Sequence, residues 1–139
     1  MSVVGMSQIL ENLYLGSLED ALHAPPDFVV VCVLEYQPAN EPPGAYRFPF
    51  LEGNVANVRV LDEFADFVDK LLSEGKKVLV HCGMGVERSP LAVVWYLHKK
   101  KGMSIADAYR YVMNRRSVVA DRTSWLPKSA LNGSKHHTL

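Results

Sequence analysis

Three things are scarce in this sequence. It has two cysteines, Cys32 and Cys82, its longest apolar runs are seven residues, and Lys plus Arg equal Asp plus Glu at 15 each. Two thiols cannot build the multi-bridge framework of a small secreted domain, so free cysteines in a reducing compartment are expected. Seven residues fall far short of the roughly 20 that span a bilayer, and no membrane association is expected. A balanced charge lacks the basic excess of a nucleic-acid binder, so no nucleic-acid partner is expected. The opening "MSVVGMSQILENLYLG" has no basic n-region and no small-residue cleavage site, which predicts a cytoplasmic protein. Internal repeats and low-complexity tracts are also missing.

What remains is ordinary globular material: 139 residues, 48% hydrophobic and 22% charged. That length predicts one domain over 1–139, large enough for a core without disulfides or metal, with 132–139 a flexible polar tail. A monomer is expected. His136 and His137 in the tail have no further ligand at metal spacing, and no cofactor or metal is expected.

The patterning alternates strand and helix. "NLYL" reads as a strand, and "SLEDALHA" as a helix opened by a Ser17/Asp20 capping box. "FVVVCVLEY" is a β-branched run suited to a strand covered on both faces, with Cys32 in it as a small buried hydrophobe. "AYRFPF" reads as an edge strand because of Pro49. Val58, Leu61, Phe64, Ala65, Val68, Leu71 and Leu72 recur at helical spacing, which predicts an amphipathic helix whose Asp62, Glu63, Asp66 and Asp69 face water. "KKVLV", "SPLAVVWYLHKKKG" and "SIADAYRYVMNRR" follow as strand, helix and helix, the last with a Ser104/Asp107 box. The expected fold is α/β, a central mostly parallel sheet of four to five strands flanked by helices.

One turn carries chemistry. In "VLVHCGMGVERSP", residues 78–90, a buried strand runs into His81 and Cys82, then Gly83 and Gly85, then Arg88, Ser89 and a helix. Strand, tight loop and helix N-terminus make an anion cradle, because consecutive N–H groups converge and the helix adds its positive pole. Gly83 and Gly85 suit a backbone that must approach its ligand closely. Arg88 can give two parallel hydrogen bonds to neighbouring oxygens of a phosphate. The same donors favour thiolate over thiol at Cys82. Cys-x5-Arg-Ser/Thr arises by accident in about one chain in a hundred at average composition, and far less often with the added His and Gly.

"HCGMGVERS" matches, at every specified position, the His-Cys-x-x-Gly-x-x-Arg-Ser/Thr loop of the cysteine-dependent protein tyrosine phosphatase superfamily. The chain resembles its compact dual-specificity type. "ILENLYLGSLEDAL" and "SIADAYRYVMNRRSVVADRTSW" are similar to that family's first strand and helix and to its C-terminal helix and following segment. Asp121, Arg122 and Trp125 depart from the usual Pro-Asn and aromatic there. The resemblance implies a phosphotyrosine protein phosphatase-like fold and hydrolysis of phosphotyrosine and phosphoserine/phosphothreonine monoesters in protein substrates. It implies Cys82 as nucleophile, Arg88 with the backbone of Gly83, Met84, Gly85, Val86 and Glu87 as phosphate site, Ser89 as donor to the departing thiolate, and His81 as the residue ordering the loop. The family places an acidic residue about thirty positions before the cysteine; here that is Glu52, with Glu41 and Asp62 as alternatives. The Glu87 side chain would put a negative charge at the rim, against polyanionic substrates. A phosphoprotein-binding module without turnover, a phosphatase for a non-protein ester, and a sulfur transferase or arsenate reductase stay open on sequence alone.

Overall fold

The computed structural model describes residues 5–42, 44–49 and 58–134. Its strands are β1 (Ser7–Leu10), β2 (Leu13–Gly16), β3 (Phe28–Cys32), β4 (Tyr46–Arg47) and β5 (Lys77–His81). Its helices are α1 (Leu18–Leu22), α2 (Val58–Ser73), α3 (Arg88–Lys101), α4 (Ile105–Arg115) and α5 (Lys128–Ser134). The sheet order is β1-β2-β5-β3-β4, antiparallel only between β1 and β2. The mostly parallel sheet expected, of four to five strands, is what the described residues build, with five.

β5 lies at its centre, between β2 and β3. Val78, Leu79 and Val80 are fully buried there, as a strand covered on both faces requires. β1 was not expected: its hairpin to β2 turns through Asn12 at φ 69 rather than through a Gly-containing signature, so nothing in the sequence announced it. β3 is shorter than "FVVVCVLEY" suggested. After Cys32 only the Val33 N–H still reaches β5, at the His81 carbonyl (3.0 Å), and the chain peels away toward the site.

α3 is buried all round from Ser89 to His98, packed by α2 and α4 and by strands β2 and β5. α2 buries Leu61, Phe64, Ala65, Val68 and Leu71, the expected stripe. Its acidic residues are a solvated face in part: Glu63 and Asp66 are exposed as expected, while Asp62 and Asp69 are half-buried. Asp62 accepts the Trp95 indole N–H at 2.8 Å, Asp69 the Tyr96 hydroxyl at 3.1 Å, and Asp66 meets Lys100 at 2.6 Å, so three carboxylates staple α2 to α3. The reason is that α3 is too large and too buried to leave its Trp and Tyr polar atoms unmatched. The Ser17 box forms in full, whereas Asp107 accepts nothing at the α4 cap and turns to Arg110. None of the described helices is long and apolar enough to cross a membrane.

Candidate active site

The loop 82–87 joins the carboxyl end of β5 to the first turn of α3, in the crevice where parallel sheets hold ligands. Its carbonyls are tied down from outside. Gly83 O accepts from the Leu18 N–H (2.8 Å), Met84 O and Gly85 O from the Arg116 guanidinium (3.3 and 2.9 Å), and Val86 O from the Ala120 N–H (2.9 Å). In a trans peptide the next N–H points opposite to the carbonyl, so these anchors turn the amides of Met84, Gly85, Val86 and Glu87 toward the hollow. Gly85 is required at φ 72, where a Cβ would also lie 2.7 Å from both Gly16 O and the Arg116 side chain.

Under those amides sits sulfur. Cys82 Sγ accepts from the Ser89 N–H at 3.4 Å and lies 3.2 Å from Ser89 Oγ, a pair in which either atom can donate. Cys82 is only 4% exposed, yet it lines a cavity of about 440 Å³ with Leu34, Tyr36, Met84 and Arg88. A second hollow of about 410 Å³ lies elsewhere, lined by Glu11, Asp69 and Lys101 and without a cysteine or an arginine. Arg88 donates to Glu35 Oε1 at 2.8 Å. His81 is fully buried, with Nδ1 3.0 Å from the Cys82 carbonyl and Nε2 3.1 Å from Glu41 Oε2. Cys82, Arg88, Ser89 and His81 are thus brought together as the motif implied, and the loop from Gly83 to Glu87 forms the cavity floor.

Three expectations need comment. Glu52 lies outside the described residues. The alternatives to it are engaged elsewhere: Asp62 holds Trp95, and Glu41 is 4% exposed behind His81 rather than over the sulfur. The Glu87 side chain is no lone rim charge, because Arg122 grips it through Nε at 3.0 Å and a terminal nitrogen at 2.5 Å while lying over the Trp125 ring. That pair accounts for the unusual Asp-Arg…Trp segment.

Sequence reasoning missed Arg116 and Glu35. Arg116, 3% exposed, reaches Gly5 O, Ser7 Oγ and Leu15 O as well as the loop, so it ties the sheet edge to the cradle. Burial pulls its ionisation below the usual arginine range, with Asp20 acting the other way. The only signal was an arginine at the end of α4 lying off the apolar stripe. Glu35 gave none, since it ends a run that read as strand.

Comparison with known proteins places this geometry. The model of the dual specificity phosphatase catalytic domain matches residues 45–128, more than half of the chain. The chain belongs to the dual specificity phosphatase catalytic-domain family. It is 34% identical over 121 residues to dual specificity protein phosphatase 1B of Arabidopsis thaliana, covering 80% of this chain and 71% of that one. With human dual specificity protein phosphatase 8 it shares 29% over 142 residues, 88% of this chain but 21% of that protein, so the chain spans about a fifth of that relative's length. Solved structures share the fold: human DUSP28 at TM-score 0.74 and 22% identity, covering 96% of this chain and 94% of that one. A human tyrosine phosphatase-like serine/threonine/tyrosine-interacting protein gives 0.72 and 21%, covering 96% and 95%. As a member of the dual specificity phosphatase family, the chain carries the cysteine, arginine and serine of its loop intact.

Proposed function

We propose that this chain is a protein phosphatase that hydrolyses phosphotyrosine and phosphoserine/phosphothreonine monoesters through a cysteinyl-phosphate intermediate. One observation supports it above the rest: the carbonyls of residues 83–86 are all anchored on the outside of the loop, which leaves its amides free for an anion, and Cys82 and Arg88 line the same cavity. Phosphoryl transfer needs little from a protein beyond such positioning and charge stabilisation.

In this scheme the Cys82 thiolate attacks phosphorus, the S–P bond forms and the ester P–O bond breaks. The amides and Arg88 hold the equatorial oxygens, and Glu52 protonates the leaving oxygen. Water then attacks the thiophosphate, giving its proton back to Glu52, while Ser89 Oγ, 3.2 Å from the sulfur, donates to the departing thiolate. His81 positions Cys82 through its carbonyl. Exposed Tyr36 and Met84 at the rim offer apolar contact to the rest of a phosphorylated side chain.

The test is phosphate release from an aryl phosphate and from phosphopeptides by the full chain. Cys82→Ser is expected to abolish release while keeping phosphopeptide binding; binding by the wild-type chain with no release would make it a capture module instead. Because Cys82 must be ionised and Glu52 protonated, an acidic optimum is expected. Glu52→Gln should flatten its alkaline limb and slow turnover without weakening oxyanion binding. An unchanged profile in that variant removes Glu52 from the scheme.

A further inference from the structure

Beneath the cradle, on the side away from the substrate cavity, Cys32, Glu41 and His81 converge. Cys32 and His81 are register partners on the neighbouring parallel strands β3 and β5, so their side chains project to one face of the sheet. Glu41 folds over them from the connection between β3 and β4. One donor atom from each lies within 4.8 Å of the other two, and all three side chains are closed off from solvent.

Positive charge reaches the cluster at its sulfur end, where Arg47 lies 3.7 Å from Cys32 Sγ. Both His81 nitrogens face acceptors, the Cys82 carbonyl at 3.0 Å and the Glu41 carboxylate at 3.1 Å, whereas a neutral imidazole carries a single N–H. With Nδ1–H on the carbonyl, Nε2 presents its lone pair to a carboxylate. Glu41 Oε1 is buried with no nitrogen or oxygen donor on it, and the group turned toward that carboxylate is the Cys32 thiol, a weak donor. A buried carboxylate oxygen served by nothing stronger than a thiol is poorly compensated.

We propose that Cys32, Glu41 and His81 are the protein ligands of a structural site for a borderline-soft divalent cation of the zinc class. Sulfur, imidazole nitrogen and carboxylate oxygen together select such an ion over magnesium or calcium. Four-coordinate zinc brings its donors roughly 3.3–3.8 Å apart; the His81–Glu41 pair stands at 3.1 Å and the set as a whole lies within 4.8 Å, so Cys32 Sγ would draw in on binding. The hydrogen bond from the other His81 nitrogen to a backbone carbonyl is the usual outer support of a metal-bound histidine. Cys32, as a thiol, gives its proton to solvent on binding. Burial, then the hydrogen bond to the Glu41 carboxylate and its charge, push that thiol up to about 12, so without the ion it stays protonated. Arg47, 3.7 Å from Cys32 Sγ, opposes a cation by charge, and the same guanidinium can donate to a metal-bound thiolate. The site departs from the expectation of a metal-free protein. It does not depend on the chain being a phosphatase.

The experiment uses the full chain with Cys82→Ser, which removes the other thiol, stripped with chelator and titrated with Co2+. One equivalent with a thiolate-to-cobalt charge-transfer band is expected, displaced by Zn2+. Adding Cys32→Ser should abolish the band, and adding Glu41→Gln should weaken binding at least tenfold. Absence of the band in the Cys82→Ser protein, or its survival after Cys32→Ser, overturns the proposal. Should the double variant not fold, zinc-edge X-ray absorption on the Cys82→Ser protein decides: one sulfur neighbour near 2.3 Å supports the site, and a shell of nitrogen and oxygen alone sinks it. Phosphate release is not read in any arm, so failure here leaves the proposed function untouched.

Discussion

Arg88 is asked to hold a substrate anion while already holding Glu35 at 2.8 Å. The carboxylate steadies the guanidinium, and its charge opposes a dianion arriving at the same group. At a partly exposed site such repulsion is modest. Glu35→Gln keeps an acceptor for Arg88 and removes the charge, so KM for an aryl phosphate should fall by about three- to tenfold with kcat little changed. A raised KM would mean that the charge, not merely the acceptor, is needed to orient Arg88.

Elements α3, α4 and β2 meet at the cradle, and Arg116 is where they are joined. Its fork satisfies Met84 O and Gly85 O while also reaching Gly5, Ser7 and Leu15. A lysine offers one point charge without that planar geometry. Arg116→Lys should therefore destabilise the fold by about 1–3 kcal/mol for each buried carbonyl left without a donor. It should also lower kcat/KM well beyond any loss of folded fraction, because the amides follow their carbonyls. Denaturant melts alongside initial rates separate the two effects; full activity in the folded fraction would show that Leu18 and Ala120 suffice to shape the loop.

For the molecule as a whole, the buried phenols between its layers make stability sensitive to alkali. Tyr96 is pushed up by burial and then by its hydrogen bond to Asp69, and Tyr109 by burial with Asp121 adding to it. The unfolded chain releases such protons near the ordinary value of 10, whereas the fold retains them. Stability that is fully present below that pH is therefore lost as pH climbs past it. Tyr96→Phe with Tyr109→Phe should make the fall in urea midpoint between about pH 9 and 11 shallower than in the wild type. Parallel profiles would place the alkaline loss elsewhere. Much of this architecture was written in local pattern. The β-branched run of β5, the stripe of α2, the Ser17 box and the Cys-x5-Arg loop each rest on residues a few positions apart, whose geometry is dictated by backbone period and turn chemistry. What only the tertiary structure decided were pairings over long sequence distances: Arg116 to residues 5, 7 and 85, Glu35 to Arg88, Glu41 and Cys32 to His81, and Asp62, Asp66 and Asp69 to α3. A charged residue in a sequence looks the same whether it meets water or a partner brought in from far along the chain, and only packing distinguishes the two.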